Sequence, residues 1–372
     1  MNPELSIVMP CLNEAETIEL CIKKAQTFIR ENNIDGEVVI GDNGSTDGSQ
    51  ELARKLGAVV VNVKKKGYGN ASRGAIEASK GKYIITADTD DSHDILNLNS
   101  FVEHLYQGYD LVMGNRFKGE NKKDAMPFLH KYVGNPILTF IGNLFFRTNL
   151  GDFHCGLRGF TRDAYNKMNL STPGMEFASE IIVKASLLNL KITEVPTTVF
   201  PAGRNRKAHL RTFPDGWRHL RFLLLYSPKW LFLTPGFLCM LIGVFGVIFI
   251  LFGSNTTSLK WVPVFAGLFL ISFQFVVFYA LTKIYATNHG LIPRKKSYDK
   301  LFIYFTLEKG LIFGLFLTFF GVFLYYLGFE KGIGSIENML KITLPAVVVS
   351  VLGIQVVLFS FFFSILGLKE EK

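Results

Sequence analysis

Two rhythms of apolar and polar positions run along the 372-residue chain. Over the first 115 residues short apolar runs recur, at Ser6–Met9, Glu37–Gly41, Ala58–Val63, Lys82–Thr86 and Asp110–Met113. Stretches with helical spacing, such as Ala15–Arg30, separate them. Strands alternating with helices predict a mostly parallel, doubly wound α/β sheet. A later run, Val195–Phe200, reads as one more strand.

Beyond Lys229 this alternation is lost. No charged residue occurs between Lys229 and Lys260, and the apolar runs Val262–Thr282, Gly310–Phe329 and Ile342–Leu368 follow. Each is near or above the roughly 20 residues that cross a hydrocarbon core. One such run has an ordinary reading as a buried helix, but four in series predict an all-α membrane domain. The expected helices lie at about 231–253, 262–282, 310–329 and 343–367. The chain then divides into a soluble domain over 1–212, an amphipathic interfacial segment over 213–229 and a membrane domain over 230–372. In and just after the interfacial segment Trp217, Leu220, Phe222, Leu224 and Trp230 are interspersed with Arg218, His219, Arg221 and Lys229. Such a mixture suits a head-group region, though an ordinary amphipathic connector has the same pattern. The apolar stretch Pro136–Phe146 is too short to span and reads as a core helix or a second interfacial one.

Composition sharpens this division. The chain holds 40 Lys+Arg against 31 Asp+Glu, a net charge of +9, and 49% hydrophobic residues. Disorder, coiled coils and collagen-like repeats are excluded on those figures. Residues 229–372 contain 22 of the 35 Phe but only 12 basic and 6 acidic residues. The cations flank apolar runs instead of forming one basic domain, so anionic lipid is the expected partner and nucleic acid is not. Lys283, Arg294, Lys295, Lys296, Lys300 and Lys309 fall between the second and third runs. That bias puts both termini and the soluble domain in the cytoplasm of a multi-pass protein of the cell membrane or endoplasmic reticulum. The start, MNPELSIVMP, lacks the basic and apolar regions of a cleaved signal. Cys11, Cys21, Cys155 and Cys239 show no zinc spacing and are expected as reduced thiols.

In a doubly wound sheet, ligands bind at the carboxyl ends of the strands. There the chain places Pro10-Cys-Leu-Asn-Glu14, Asp42-Asn-Gly-Ser-Thr-Asp-Gly48, Ala87-Asp-Thr-Asp-Asp91 and Gly114-Asn-Arg116. Acidic groups at three strand ends repel unless a cation or hydrogen-bond donors neutralise them. Asp88 and Asp90 reach one divalent metal if the chain turns between them, and hard carboxylates match Mg²⁺ or Mn²⁺. A lone Asp-x-Asp is also a common turn; its place after a buried strand, in series with the other motifs, favours the metal. No dinucleotide or P-loop glycine motif is present, which disfavours a dehydrogenase or a P-loop NTPase.

PCLNE, DNGSTDG, GYGNASRGA and ADTDDSHD, in that order and spacing, resemble the family-2 nucleotide-sugar glycosyltransferases of GT-A fold. GNRFKGE, HKYVGNPILT, GDFHCGLRGF and EVPTTVFPAGR narrow the resemblance to the branch of dolichol-phosphate mannose synthase and polyprenyl-phosphate glucosyltransferases, over roughly residues 4–235. The resemblance implies that Pro10, Asn13, Glu14 and Asp42 hold the nucleotide, and that Asp88 and Asp90 bridge the metal to its diphosphate. Ser92 stands near where many members carry Gln. Arg116 and Lys131 match basic positions that face donor or acceptor phosphate, while Arg204 and Arg206 match the loop that receives the lipid phosphate. Asp152 matches a position proposed as base, and alternatively holds Arg158 or orients the sugar.

The implied reaction is transfer of one hexose, with inversion, from a nucleotide-diphosphate sugar to a polyprenyl phosphate (dolichyl or undecaprenyl) at the cytoplasmic membrane face. Catalytic roles fall to Asp90, Asp152 and Arg116. An acceptor phosphate has a second pKa of about 6, so it needs less help from a base than an alcohol does. A processive polysaccharide synthase normally carries a Gln-x-x-Arg-Trp motif, which is absent here. A membrane scaffold or flippase subunit with an inactive transferase domain is the non-enzymatic alternative. Self-association, the sugar and the nucleotide are left open. Glu176 and Glu180, four apart, read either as an acceptor-facing pair or as a paired structural face.

Overall fold

A computed structural model describes residues 3–120, 122–123, 125–203, 211–252, 261–288, 292–293, 306–331 and 336–367. By internal contacts the chain forms two compact units, Met1–Leu223 and Leu224–Lys372.

In the first unit the elements follow as β1 (Leu5–Cys11), α1 (Ile18–Glu31), β2 (Gly36–Asp42), α2 (Ser49–Lys55), β3 (Val59–Asn62), α3 (Tyr68–Ala78), β4 (Tyr83–Thr86), α4 (Asn99–Tyr106) and β5 (Leu111–Asn115). A π-helical turn (His130–Gly134) leads into α5 (Asn135–Phe146); then come β6 (Arg158–Thr161), α6 (Arg162–Met168), α7 (Phe177–Leu187), β7 (Ile192–Pro196) and α8 (Thr212–Leu225). The seven strands are ordered β3-β2-β1-β4-β6-β5-β7. All pairs are parallel except those of β6 with β4 and β5. The sheet is thus the mostly parallel one that the alternating runs predict. The expected strand at Val195–Phe200 is shifted: β7 ends at Pro196, and Val199 lies beyond it in an isolated bridge with His93.

Apolar spacing explains the packing. Ile18, Cys21, Ile22, Ala25 and Phe28 recur every three or four residues, and all are buried on the inner face of α1. Ile7, Met9, Ile40 and Ile85 meet them from the sheet. The thiols of Cys11, Cys21 and Cys155 are buried and free, and burial pushes them up to about 11, 12 and 12. They are inert core residues, in keeping with the expected reduced state.

Glu180 proves to be a paired structural residue. Its side chain is 0% exposed, lies 2.8 Å from Lys184 Nζ and accepts hydrogen bonds from the backbone N–H groups of Ser171 and Thr172 and from both their hydroxyls. This ties the 171–174 loop to α7, and the Asn70 N–H of α3 donates to Pro173 O at 3.2 Å. Gly67, at φ +126°, is required there because a Cβ would run into the carbonyl group of Pro173.

The second unit is helical. Among the described residues it contains a π-helical turn (Lys229–Leu233), α9 (Thr234–Phe252), α10 (Val262–Asn288), α11 (Leu307–Lys331) and α12 (Ile336–Gly367). Four segments are long and apolar enough to span a bilayer: Lys229–Phe249, Val262–Asn288, Leu307–Glu330 and Ile342–Leu366. α11 packs along α12, and α9 against α10. The Asn288 side-chain amide donates to Leu366 O at 2.7 Å, joining α10 to α12.

Glu180→Ala leaves Lys184 buried without its carboxylate, which should destabilise the first unit by about 3 kcal/mol. Thermal unfolding of the full-length protein in detergent checks this. Burial raises the Glu180 pKa, but the bonds from Lys184 and Thr172 outweigh burial and the net shift is downward. Its stabilisation is therefore present above the unfolded-state carboxyl pKa and lost as pH falls through the folded one.

Candidate active site

The carboxyl edge of the sheet carries a cleft of about 430 Å³. Pro10, Glu14, Asn43, Tyr68, Asp88 and Asp90 are among its lining residues. Three sequence-predicted loops thus converge there, together with the start of α3.

Asp88 is where the parts meet. Its Oδ1 accepts the Tyr68 hydroxyl at 3.0 Å, and its N–H donates to His93 Nδ1 at 3.1 Å. With Nδ1 accepting, the His93 proton sits on Nε2, which lies 3.8 Å from Asp88 Oδ2. Burial and the Asp88 charge hold the Tyr68 phenol well above its ordinary pKa, so it stays a donor. The Asp88 side chain remains 31% exposed, open to the cleft. The turn is tied to neighbouring elements: Thr89 Oγ1 donates to Pro10 O at 2.9 Å, and Thr17 Oγ1 to Thr89 O at 2.6 Å. Asp90 Oδ1 accepts from the Ser92 hydroxyl at 2.6 Å and the Ser92 N–H at 3.1 Å. Asp91 turns away at φ +62°, its Oδ1 2.5 Å from Lys24 Nζ.

Asp42 acts from inside the loop. It is 1% exposed and accepts from Gly44 N–H at 2.8 Å, Ser45 N–H at 3.2 Å and Gln50 Nε2 at 2.7 Å. Its carboxylate shapes the DNGSTDG turn, and the neighbouring Asn43 lines the cleft. Asn13, at φ +58°, accepts the Thr46 N–H at 2.8 Å and so links the first two loops. The Glu14 N–H donates to Ser49 Oγ at 3.0 Å.

Arg116 and Asp152 form one unit. Arg116 Nε is 2.6 Å from Asp152 Oδ2, Nη2 is 2.9 Å from Oδ1, and the Arg116 N–H also donates to Oδ2 at 3.2 Å. Asp152 is fully buried. Burial alone lowers a guanidinium pKa; the Asp152 charge more than offsets it and holds Arg116 above its usual value. The alternative that Asp152 holds Arg158 is corrected: the buried Arg158 donates to Cys155 O at 2.6 Å and Ala178 O at 2.9 Å, since its strand β6 carries it into the core. Lys131 lies in the π-helical turn, its Nζ 5.4 Å from the Tyr132 ring centroid. Beside it, the His130 ring is held below its usual pKa by burial and by the Arg116 charge, so this turn lies near Arg116. Arg204 and Arg206 lie outside the described residues.

Two groups missed from sequence, Tyr68 and His93, stand inside the motifs GYGNASRGA and ADTDDSHD. Among the described residues no cluster of three or more His, Cys, Asp or Glu forms a metal cage. Two carboxylates at an open cleft instead fit a hard divalent ion that takes its remaining oxygens from a diphosphate and water.

Fold and site together define a glycosyltransferase of GT-A type joined to membrane helices. The sheet resembles that in the crystal structure of a mycobacterial protein (TM-score 0.50, 22% identity, covering 60% of this chain and 75% of that one). Residues 6–168 match the profile described as Glycosyl transferase family 2, and residues 280–367 that of the Glycosyltransferase family 2 C-terminal transmembrane region. The low-salt glycan biosynthesis hexosyltransferase Agl6 of Haloferax volcanii is 36% identical over 378 residues, covering 98% of this chain and 89% of that protein. The dolichyl-phosphate hexose transferase of the same organism is 29% identical over 196 residues, covering 52% and 81%. The chain belongs to glycosyltransferase family 2.

A Cβ at position 156 would lie 2.7 Å from Asp88 Oδ2 and 2.8 Å from His93 Cε1. Gly156→Ala should therefore displace the Asp88 turn and weaken binding of a nucleoside diphosphate with Mn²⁺ by about tenfold, the size of one good polar contact. Calorimetric titration reads the loss, and an unchanged melting temperature shows that the fold survives.

Proposed function

We propose that the protein transfers one hexose, with inversion, from a nucleotide-diphosphate sugar to a polyprenyl phosphate at the cytoplasmic face of a membrane. The observation that carries this reading is the Asp88–Asp90 turn, held open in the cleft at the carboxyl edge. Support comes from the four apolar helices downstream and from the hexose-transfer activities for which the two Haloferax relatives are named.

Asp88 and Asp90 would hold Mg²⁺ or Mn²⁺ against the donor diphosphate, and the ion supplies positive charge for the departing nucleotide. Pro10, Asn13, Glu14 and Asp42 shape the wall that receives the nucleoside. Tyr68 and His93 fix the Asp88 carboxylate so that it need not reorganise during reaction. Arg116, held charged by Asp152, offers a cation to phosphate oxygens. With both oxygens committed to Arg116, Asp152 serves as its counter-ion and positioning group. The acceptor phosphate is itself the nucleophile, and it attacks the anomeric carbon from the face opposite the leaving group. Lys131, Arg204 and Arg206 are the proposed acceptor-phosphate cations; Arg211 and Arg218 line the cleft.

Docking at the bilayer follows from α8, which has two faces. Asp215, His219, Phe222 and Leu223 are buried, while Phe213 and Trp217 are 79% and 59% exposed. On α5, likewise, Ile137, Phe140 and Leu144 are exposed and Thr139, Gly142 and Phe146 are buried. The outer faces suit the head-group layer, where a polyprenyl phosphate presents its charge while its tail stays in lipid.

Asp90→Asn removes metal-binding charge with little change of shape. It should cut turnover by about 10³-fold or more, the scale of losing one electrostatic catalytic contact, and excess EDTA should abolish turnover of the wild type. A mass-resolved assay with a panel of nucleotide sugars and one polyprenyl phosphate measures both; near-normal turnover in either case refutes the assignment. A Phe213→Glu, Trp217→Glu double variant should lose activity on vesicle-borne long-chain acceptor and keep it on a short-chain acceptor in detergent. Equal loss in both assays would refute the docking role.

A further inference from the structure

Beneath the cleft lies a cluster of neutral polar groups that the proposed chemistry does not use. His219 of α8 is 6% exposed, and its Nδ1 is 2.8 Å from the hydroxyl of the fully buried Ser179 of α7. The same hydroxyl lies 3.3 Å from His154 Nε2. The two imidazoles meet edge to face, with centroids 4.6 Å apart. His154 Nδ1 is buried and has no hydrogen-bond partner among the described residues, so Ser179 is the ring's one hydrogen-bonded anchor. The His154 N–H donates to Asp152 Oδ1 at 3.1 Å, and that oxygen also takes Arg116 Nη2.

We infer that His219, Ser179 and His154 form a hydrogen-bonded strut through which α8 positions the Asp152–Arg116 pair, making His219 and His154 positioning residues for sugar transfer. This rests on the transferase reading above. Ser179 has one proton, so it donates to one ring and accepts from the other. The chain therefore has a direction and requires the ring that accepts from Ser179 to be neutral. Burial ensures this: it pushes His219 down to about 4 and, with the nearby Arg116 and Arg158 charges, holds His154 well below its usual value. Asp215, Arg158 and Arg116 are the charged groups that face the pair. No charge is exchanged along the strut. It transmits position, linking the helix whose outer face carries Phe213 and Trp217 to the cation proposed to meet phosphate.

Amide isosteres separate this role from simple packing. An Asn side chain reaches the place of an imidazole Nδ1, and a Gln side chain that of Nε2. His219→Asn should keep the bond to Ser179 and His219→Gln should lose it; at position 154 the order reverses, with Gln keeping the bond and Asn losing it. In the full-length protein, His219→Gln, His154→Asn and Ser179→Ala should each lower kcat about tenfold, the worth of one buried hydrogen bond, with donor KM unchanged. His219→Asn and His154→Gln should stay near wild type. The assay uses whichever donor of a UDP- and GDP-hexose panel the wild type transfers to a long-chain polyprenyl phosphate. Hydrogen exchange over residues 150–158 supplies a readout independent of activity, and exchange should rise in the three strut-breaking variants only. Ser179→Ala, which removes a single atom, guards against misfolding. Identical behaviour of Asn and Gln at either position, or unchanged exchange over 150–158 in Ser179→Ala, overturns the inference. Absence of transfer by the wild type overturns the transferase reading alone, because the exchange comparison still decides the strut.

Discussion

Holding Asp88 as an open anion beside Asp90 is the constraint that organises the first unit. Like charges at one strand end repel, and the groups that hold this turn in place arrive from different parts of the chain. Tyr68 comes from the start of α3, and His93 folds back from five residues downstream. Thr17, at the start of α1, ties down the Thr89 carbonyl between the two acids. Parallel strands deliver most of these groups to one edge because their carboxyl ends converge there. Antiparallel β6 delivers the rest. Running the opposite way between β4 and β5, it brings the segment before it, Asp152 to Leu157, to that same edge. A parallel strand in that place would have put Asp152 and Gly156 at the far side of the sheet.

α8 has to satisfy two environments at once. Asp215 and His219 are polar yet lie on its buried face, where Asp215 accepts from the Arg211 N–H at 2.7 Å and from Arg218 Nη1 at 3.1 Å. Phe213 and Trp217 lie on the other face. This inverts the usual amphipathic order at two positions. The inversion is tolerable only because each inward polar group has a specific partner. A polar group committed to one partner also fixes the helix's rotation and height more sharply than apolar packing does.

The parts of the structure legible in sequence are those with strong local signals. β1, β2, β4 and β5 announce themselves as apolar runs ending in polar motifs, and the four long helices by length alone. β6 has no such signal. Arg158-Gly-Phe-Thr161 owes its strand conformation to pairing on both sides, a tertiary effect. The Asp88–Asp90 turn was readable because motif and strand end coincide. The partnership of Asp152 was not, since Arg116 and Arg158 are equally plausible by charge. Only the depth to which β6 carries Arg158 separates them. Periodicity likewise identified an apolar helix at Pro136–Phe146 without saying whether its outer face meets core, water or lipid.

Stability does not explain three of the buried charged groups, Glu180, Asp152 and Arg158. Desolvation offsets much of the attraction within a buried ion pair, so apolar replacements of like volume often fold as well. What such replacements lack is direction. The Glu180 carboxylate takes its N–H bonds from two successive residues, Ser171 and Thr172, which fixes a loop with no regular structure of its own over Gly67. Asp152 grips both the side chain and the N–H of Arg116, so the guanidinium has one orientation. Arg158 reads two carbonyls, one beside the site motif and one on α7, and thereby sets the spacing between them. Each buried charge sits where irregular backbone borders the cleft. Ladders already specify the position of the regular strands; the loops that do the chemistry have no ladder, and side-chain charge takes its place.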